Sequence, residues 1–261
     1  MKKFLALILS AVCVLSMAAC GSDNTASDTS DLSYVQGKGT LVVGITDFEP
    51  MDYKDESGNW IGFDADLAAA FAESLGVNVE FVEIDWDNKI MELNGKTVDC
   101  IWNGMTLTSE VTSSMDCSNA YCNNAQIVVV PVGTKADSVD DVKDLQFAVE
   151  AGSAGAEEAE ANGFSYTEVS NQAAALMEVA AGTSDAAIID SLMAAAMVGE
   201  GTSYADLTYT VGLNSEEYGV GFRQGSDLVA KLNDFFKTSY ADGTMMEIAE
   251  QYGVQAAIIE Q

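Results

Sequence analysis

The chain contains no histidine among its 261 residues, and no two cysteines stand in Cys-x-x-Cys spacing. Without an imidazole it lacks the commonest general base of neutral pH and the nitrogen ligand of most protein zinc sites. We therefore expect neither a metal ion nor a cofactor in this protein.

Basic residues are also scarce. Lysine and arginine number 11 against 41 aspartate and glutamate residues, so the net charge is −30, and Arg223 is the only arginine. Such a field repels nucleic acid and anionic lipid head groups. We expect no nucleic-acid partner, and a cationic or zwitterionic ligand is favoured over an anionic one.

The start of the chain predicts export. Lys2 and Lys3 precede an apolar run that ends at Cys20 and is shorter than the roughly 20 residues of a membrane-spanning helix. The stretch "SMAAC" resembles the lipobox of bacterial lipoproteins, in which the cysteine is acylated. We interpret residues 1–19 as a signal peptide, and cleavage after Ala18 with release is the alternative.

Residues 20–35 are interpreted as the lipidated Cys20 followed by a disordered tether. The stretch 21–33 is polar, acidic and free of aromatic residues, so it buries too little apolar surface to fold. Lipidation would anchor the protein to the outer face of the cytoplasmic membrane without spanning it. Three further cysteines, Cys100, Cys117 and Cys122, could form one disulfide or remain buried thiols.

Alternating strand and helix patterns fill the rest of the chain. Leu67, Phe71 and Leu75 form one apolar stripe in a helix for which Asp64 is the expected N-cap, and Leu228, Leu232 and Phe236 form another stripe. The repetition favours α/β lobes with mostly parallel sheets. Strands are predicted at 40–46, 77–84, 98–103, 146–151, 164–170, 185–190 and 218–224, and helices at 63–76, 88–95, from about 153, 172–182 and 227–240.

The motifs "GTLVVGITDFEPMDY", "GNWIGFDADLAAAFAESLG", "DWDNKIMELNGKTVDCIWNGMTLT", "DLQFAVEAGS" and "AAGTSDAAIID" occur in this order. Together with "YGVGFRQGSDLVAKLNDFFKTSYADGTMMEIAEQYG" they resemble solute-binding family 3, the amino-acid-binding proteins of bacterial ABC importers. The resemblance implies a two-lobed type II periplasmic-binding-protein fold. It places lobe 1 at 36–122 plus 214–261 and lobe 2 at 123–213, with two hinge crossings.

The same resemblance implies a ligand site between the lobes. Phe48 and Trp86 match aromatic residues that face the ligand, and Asn103, Gly104 and Thr106 match a stretch whose backbone and hydroxyl groups hold it. Without the family, the aromatics would more often be core residues, and Asn-Gly would more often be turn chemistry. These residues are predicted to line a pocket for an amino acid or a related amine.

The second lobe is expected to supply charge. Ser153 opens a helix whose free N–H groups could bind an anion, although an ordinary N-cap explains it equally. Asp190 matches the carboxylate that receives the ligand's α-ammonium, the alternative again being an N-cap. Glu150 lies beside this pocket, and Asp47 and Glu49 are expected nearby.

Val111 stands where members of the family usually carry an arginine that holds the ligand's carboxylate. Losing a bidentate charge-assisted pair weakens carboxylate binding by about tenfold or more, at roughly 1.5–3 kcal/mol per bond. Two ligand classes follow. An α-amino acid could be held by backbone N–H groups, or a cationic amine without a carboxylate could be held by Asp190 and Glu150.

We expect a monomeric, non-enzymatic binding protein that delivers its ligand to ABC permease subunits. A few proteins of this fold are dehydratases of cyclohexadienyl acids, but those substrates call for basic residues, which are scarce in this chain. A sensory binding domain is the remaining alternative. The sequence leaves the ligand, the permease, the affinity and the state of the cysteines open.

Lipidation at Cys20 has a direct test. Expressed in its host, the wild-type protein should partition into detergent, because an acyl chain is attached, and Cys20→Ala should remain in the aqueous phase. Phase partitioning followed by immunoblotting measures this. Equal partitioning of the two proteins would contradict lipidation.

Overall fold

The computed structural model describes residues 30–261. The predicted signal peptide, Cys20 and residues 21–29 of the tether lie outside the described residues. The expected tether is too long at its C-terminal end, because residues 31–38 form a helix. Ser30 caps this helix by accepting from Ser33 N–H, and Leu32 N–H donates to Asp227 at 2.9 Å. The last residues of the predicted tether are therefore ordered by hydrogen bonds to each other and to Asp227.

Strands and helices alternate along the described chain. The strands are β1 (Thr40–Ile45), β2 (Tyr53–Lys54), β3 (Trp60–Ile61), β4 (Asn78–Glu83), β5 (Cys100–Thr106), β6 (Asp116–Cys117), β7 (Cys122–Asn124), β8 (Gln126–Pro131), β9 (Gln146–Glu150), β10 (Ser165–Val169), β11 (Ala186–Asp190), β12 (Leu207–Gly212) and β13 (Glu216–Phe222). The helices are α1 (Asp31–Lys38), α2 (Phe63–Ser74), α3 (Lys89–Asn94), α4 (Ser109–Ser114), α5 (Val139–Val142), α6 (Ala154–Ala161), α7 (Gln172–Ala181), α8 (Ser191–Met197), α9 (Leu228–Asp242) and α10 (Thr244–Gln251), with a 3-10 turn at Trp86–Asn88.

Two central sheets carry the fold. The first has the order β4-β1-β5-β13-β6, with β7 also paired to β13, and the second has the order β10-β9-β11-β8-β12. The expectation of mostly parallel sheets is wrong in detail. β13 runs antiparallel to β5, β6 and β7, and β8 runs antiparallel to β11 and β12. The chain returns into each sheet from the other, so these strands do not follow a helical crossover within their own sheet.

The chain passes between the sheets twice. It leaves the first sheet at Asn124 and enters β8 at Gln126, and it returns between Gly212 and Glu216. Gln126 N–H donates to Asn214 Oδ1 at 2.7 Å, and Leu213 N–H donates to Gln126 O at 2.8 Å, so the two crossings are bonded to each other. The exact lobe boundaries stay a prediction, although β7 keeps residues 122–124 with the first sheet.

The core of the first lobe is aromatic. Trp102, Tyr121 and Phe236 are fully buried, with ring centroids 5.4 Å apart between Tyr121 and Phe236. The predicted stripe of α9 is buried as expected. Cys100 and Cys122 are buried and Cys117 is half-buried, and all three are free thiols. Burial raises the pKa of the Cys117 thiol to about 11, which keeps it protonated and unreactive.

Asp64 does not cap α2, because Gly62 occupies the N-cap position. The Asp64 carboxylate is instead fully buried and accepts hydrogen bonds from the Tyr121 hydroxyl at 2.7 Å and from Gly104 N–H at 2.6 Å. Burial raises its pKa to about 7. The residue therefore fixes the end of β5, at the edge of the sheet where the candidate site lies.

Arg223 is also structural. Its guanidinium donates to both carboxylate oxygens of Asp31, at 3.2 and 3.1 Å, and to the carbonyl oxygens of Leu93 and Val98, at 3.2 and 2.9 Å. These bonds hold α1 and the end of α3 against the first sheet. Within residues 30–261, no helix is long and apolar enough to cross a membrane.

Gly62→Ala should destabilise the protein by about 3 kcal/mol, because φ is +129° there, a glycine-only region, and the added Cβ would overlap the Met51 carbonyl oxygen. Gly58→Ala is the control, since φ is +83° and no heavy atom lies within 4 Å of the added Cβ. It should cost only about 1 kcal/mol. Urea unfolding measures both, and equal losses would contradict the steric account.

Candidate ligand-binding site

A narrow cavity lies between the two sheets, at the ends of β1, β5, β9 and β11. Its volume is about 440 Å³, part of which is open to solvent. The two lobes touch beside it, where Lys89 Nζ donates to the Gly152 carbonyl oxygen at 2.8 Å. All eight residues predicted to bind the ligand line this one cavity: Phe48, Trp86, Asn103, Gly104, Thr106, Glu150, Ser153 and Asp190. Their role in binding stays a prediction.

The first lobe forms the aromatic wall. Phe48 is 2% exposed and packs edge-on against Tyr218, with ring centroids 6.3 Å apart. Trp86 is buried in the 3-10 turn after β4. Both rings occupy the cavity wall as part of an apolar core, so the core and pocket interpretations of these residues are compatible.

Asn103 shapes the wall but has no free side-chain group. Its Oδ1 accepts from the N–H and hydroxyl of Thr46, at 2.9 and 2.7 Å. Its Nδ2 donates to the carbonyl oxygen of Thr46 at 3.1 Å and to Asp52 Oδ2 at 2.7 Å. These four bonds use the whole hydrogen-bonding capacity of an amide. The neighbouring Thr106 hydroxyl donates to Glu216 at 2.9 Å.

Ser153 is the N-cap of α6, which was the alternative to an anion-binding role. Its hydroxyl accepts from Ala156 N–H at 3.2 Å and opens α6 at the cavity wall. Glu150, just before it, is 3% exposed, and its Oε1 has no hydrogen-bond partner among the described residues. Burial, together with the charge of Asp190, raises the Glu150 pKa to about 8. A buried carboxyl oxygen without a partner is costly unless a ligand satisfies it.

Asp190 occupies the N-cap position of α8, but its side chain makes no capping bond. The carboxylate is 3% exposed and accepts from the side-chain amides of Asn124, Gln126 and Gln172. Burial is the main cause that raises the Asp190 pKa to about 8, and the charge of Glu216 adds to it. The capping alternative therefore does not explain this carboxylate.

Lys89 corrects the expectation that the pocket lacks a base. It lines the cavity, is 5% exposed, and donates from Nζ to the carbonyl oxygen of Gly152 at 2.8 Å. Its ammonium lies 5.1 Å from the centre of the Trp86 ring. Burial lowers its pKa, while nearby acids, first Glu110 and then Glu150, oppose that effect. The signal in the sequence was its position three residues after Trp86, which places both on one side of a turn.

The structure also corrects the expected positions of two acids and explains the aliphatic residue at position 111. Asp47 and Glu49 do not line the cavity, whereas Glu110 and Glu157 do, at its exposed rim. Val111 lines the cavity but is 3% exposed and belongs to an apolar cluster with Trp86, Met105 and Met115. An aliphatic side chain fits this cluster better than a guanidinium would.

Two α/β lobes joined by two crossings, with a narrow cavity of buried acids and aromatic rings between them, are the architecture of a solute-binding protein. The profile of the bacterial extracellular solute-binding proteins, family 3, matches residues 41–255, so the chain belongs to this family. The resemblance found in the sequence and the two-lobed fold are thereby confirmed.

Similar proteins carry names that refer to amino acids. The arginine-binding extracellular protein ArtP of Bacillus subtilis is 30% identical, over 97% of this chain and 98% of its own length. A probable histidine-binding protein of Neisseria gonorrhoeae is 29% identical, over 98% and 99%.

Solved structures agree in fold. An ABC uptake transporter substrate-binding protein from Streptococcus pneumoniae with bound histidine has a TM-score of 0.81 and 31% identity, over 88% of this chain and 98% of that chain. The ancestral amino-acid-binding protein AncCDT-1, a precursor of cyclohexadienyl dehydratase, has a TM-score of 0.78 and 32% identity, over 85% and 99%.

Gly152→Ala should hinder closure of the lobes. A Cβ at Gly152 (φ +67°) would lie 2.8 Å from the Cα of Asp87 in the other lobe, where backbone cannot give way cheaply. Small-angle scattering with a panel of amino acids and amines should show compaction by the bound ligand in the wild type and not in Gly152→Ala.

Gly163→Ala is the matched control, because φ is +69° and the added Cβ has no heavy atom within 4 Å. It carries the same backbone strain without the contact between lobes, and it should compact like the wild type. Equal compaction of all three proteins would show that Gly152 does not limit closure.

Proposed function

We propose that this protein is the substrate-binding component of an ABC importer and that it captures an amino acid with a positively charged side chain. One observation carries the proposal. Four carboxyl groups, of Glu110, Glu150, Glu157 and Asp190, line the cavity, and Lys89 is the single cationic side chain among the described residues that does. A ligand with two positive charges and one negative charge complements this lining.

Each charge of such a ligand has a partner inside the cavity. Asp190 receives the α-ammonium, Lys89 meets the α-carboxylate, and Glu150 receives the side-chain cation with its free Oε1. All three protein groups are nearly dry, so each charged contact is stronger than it would be in water. Phe48 and Trp86 then pack against the aliphatic part of the ligand, and their ring faces favour its cations.

Lys89 is free to fill this role. No carboxylate oxygen of residues 30–261 lies within 4.0 Å of its ammonium, which is held by carbonyl oxygens alone. The arginine- and histidine-binding names of relatives support a cationic ligand, because both side chains can carry positive charge.

The second candidate is a cationic amine without an α-carboxylate. Val111 favours it, because an apolar cluster stands where relatives in this family usually hold the carboxylate with arginine. Under this proposal Lys89 serves only to join the lobes through Gly152. Dehydration of a cyclohexadienyl acid fits less well, because an acidic lining repels an acidic substrate.

Family membership makes this an exported protein, and the finer location is proposed. Cys20, which lies outside the described residues, would carry the lipid that holds the protein at the outer face of the cytoplasmic membrane. There it would act as a monomer and deliver its ligand to permease subunits.

Calorimetry with charge-matched ligands tests the proposal. L-lysine and L-arginine should bind the wild type at least about tenfold more tightly than L-glutamine, and more tightly than their decarboxylated amines, cadaverine and agmatine. A charge-assisted hydrogen bond of about 1.5–3 kcal/mol corresponds to roughly this ratio or more. Lys89→Met should remove most of the preference for the amino acid over its amine.

Lys231→Met, an exposed lysine of α9, is the control and should leave the ratio unchanged. Because Lys89 also bonds Gly152, loss of affinity for all ligands alike would assign it to closure only. Tighter binding of the amine in every pair would favour the second candidate. Equal binding of L-glutamine and L-lysine would contradict a cationic ligand.

A further inference from the structure

The carboxylate proposed to receive the ligand's ammonium lies against both crossings between the lobes. Asn124 and Gln126 flank the first crossing, Asn214 lies within the second, and Glu216 is the first residue after it. Asp190, at the end of β11, is hydrogen-bonded to the side chains of Asn124 and Gln126. The ligand anchor is therefore part of the hinge network.

Two side-chain amides bridge Asp190 to a second acid. Asn124 Nδ2 donates to Asp190 Oδ1 and, at 2.7 Å, to Glu216 Oε1. Gln126 Nε2 donates to the same two oxygens, at 2.7 and 2.8 Å. Each NH₂ group thus gives one hydrogen to each acid, and the two carboxyl oxygens are close neighbours.

This pair of acids has no cationic partner in the described part of the chain. Among residues 30–261, no lysine or arginine nitrogen lies within 4.0 Å of either carboxyl group. Glu216 also accepts from the Thr106 hydroxyl at 2.9 Å and from Asn214 Nδ2 at 2.9 Å, so its charge is solvated by donors from both crossings. Asp190 is the more buried acid, and a like charge this close favours the protonated form of its carboxyl group.

We propose that the Asp190 carboxyl group holds a proton before the ligand binds, favoured by the neighbouring Glu216 carboxylate, and that the ligand's α-ammonium replaces this proton. The exchange is balanced: the Asp190 carboxyl group loses its proton to solvent, and the resulting carboxylate pairs with the ammonium. Glu216 is then a positioning residue, which acts on the ligand through Asp190. The identity of the arriving cation rests on the proposed function.

Other groups face Asp190 from the elements packed around it. They are Tyr218 on β13, Glu150 on β9 and Cys122 on β7, with the neutral amide of Gln172 on α7. After burial itself, the charge of Glu216 is the largest cause that raises the Asp190 pKa. Glu150 could release a second proton to solvent when it pairs with the ligand's side-chain cation, so only the difference between variants reports on Asp190 and Glu216.

Binding should therefore be coupled to proton release. Calorimetry of L-lysine at pH 7, in phosphate and in Tris, gives the number of protons released from the difference in heat. Wild type should release close to one proton or more, Glu216→Gln should release at least half a proton less, and Glu216→Asp should restore the release. Glu217→Gln, an exposed neighbour, is the matched control.

The sign of the pH dependence follows from the same exchange. Below the Asp190 pKa of about 8 the ammonium must displace a proton, so the affinity should fall by up to about tenfold per pH unit as the pH decreases. Glu216→Gln should flatten this dependence between pH 6 and 8, because removing the neighbouring charge lowers the Asp190 pKa. An unchanged slope and unchanged proton release would overturn the proposal.

A measurement without ligand separates this proposal from the proposed function. Carboxyl ¹³C NMR should show one Asp resonance, absent in Asp190→Asn, with a midpoint near pH 8 in the wild type and a lower midpoint in Glu216→Gln. A midpoint below pH 5 in the wild type, or no shift in the variant, would overturn the proposal that Asp190 is protonated before the ligand binds. Failure of L-lysine and L-arginine to bind would contradict only the proposed ligand. The NMR titration would still test whether Glu216 keeps Asp190 protonated. Urea unfolding of each variant verifies that it is folded.

Discussion

Buried carboxyl groups that lack cationic partners are the constraint on which the cleft depends. Asp190 is nearly dry and is satisfied by neutral amides from three different elements: β7, β8 and α7. Desolvation of an anion is costly unless donors surround it. Two of these elements, β7 and β8, lie on either side of the first crossing between the lobes. A change in the hydrogen bonds of Asp190 would therefore also change the hinge.

A second consequence concerns Lys89, the one cationic side chain of residues 30–261 that lines the cavity. Lys89 sits in the first lobe, yet its closest partner is the Gly152 carbonyl of the second lobe. The same ammonium thus contributes to the contact between the lobes and to the charge of the cavity. A ligand carboxylate that approaches it would strengthen, rather than replace, the attraction that brings the two walls together.

Much of the architecture was predictable from local patterns. The stripe of Leu228, Leu232 and Phe236, the strand at 185–190 and the helix at 172–182 were placed nearly to the residue, because periodic burial leaves a periodic signature. Asp64 was misplaced as a cap. Its partners, Tyr121 and the Gly104 N–H, lie far away in sequence, so its burial had no local signal.

In the candidate site, too, some features follow from the sequence and others only from the tertiary structure. The sequence by itself determined which residues stand at strand ends, and Phe48, Glu150 and Asp190 meet in one cavity because those ends share an edge of each sheet. Only the tertiary structure decided the charge balance there. Lys89 lines the cavity, Asp47 and Glu49 do not, and Glu216 lies beside Asp190. These elements are distant in the chain, so only the packing of one lobe against the other determines which charged groups become neighbours in the buried space.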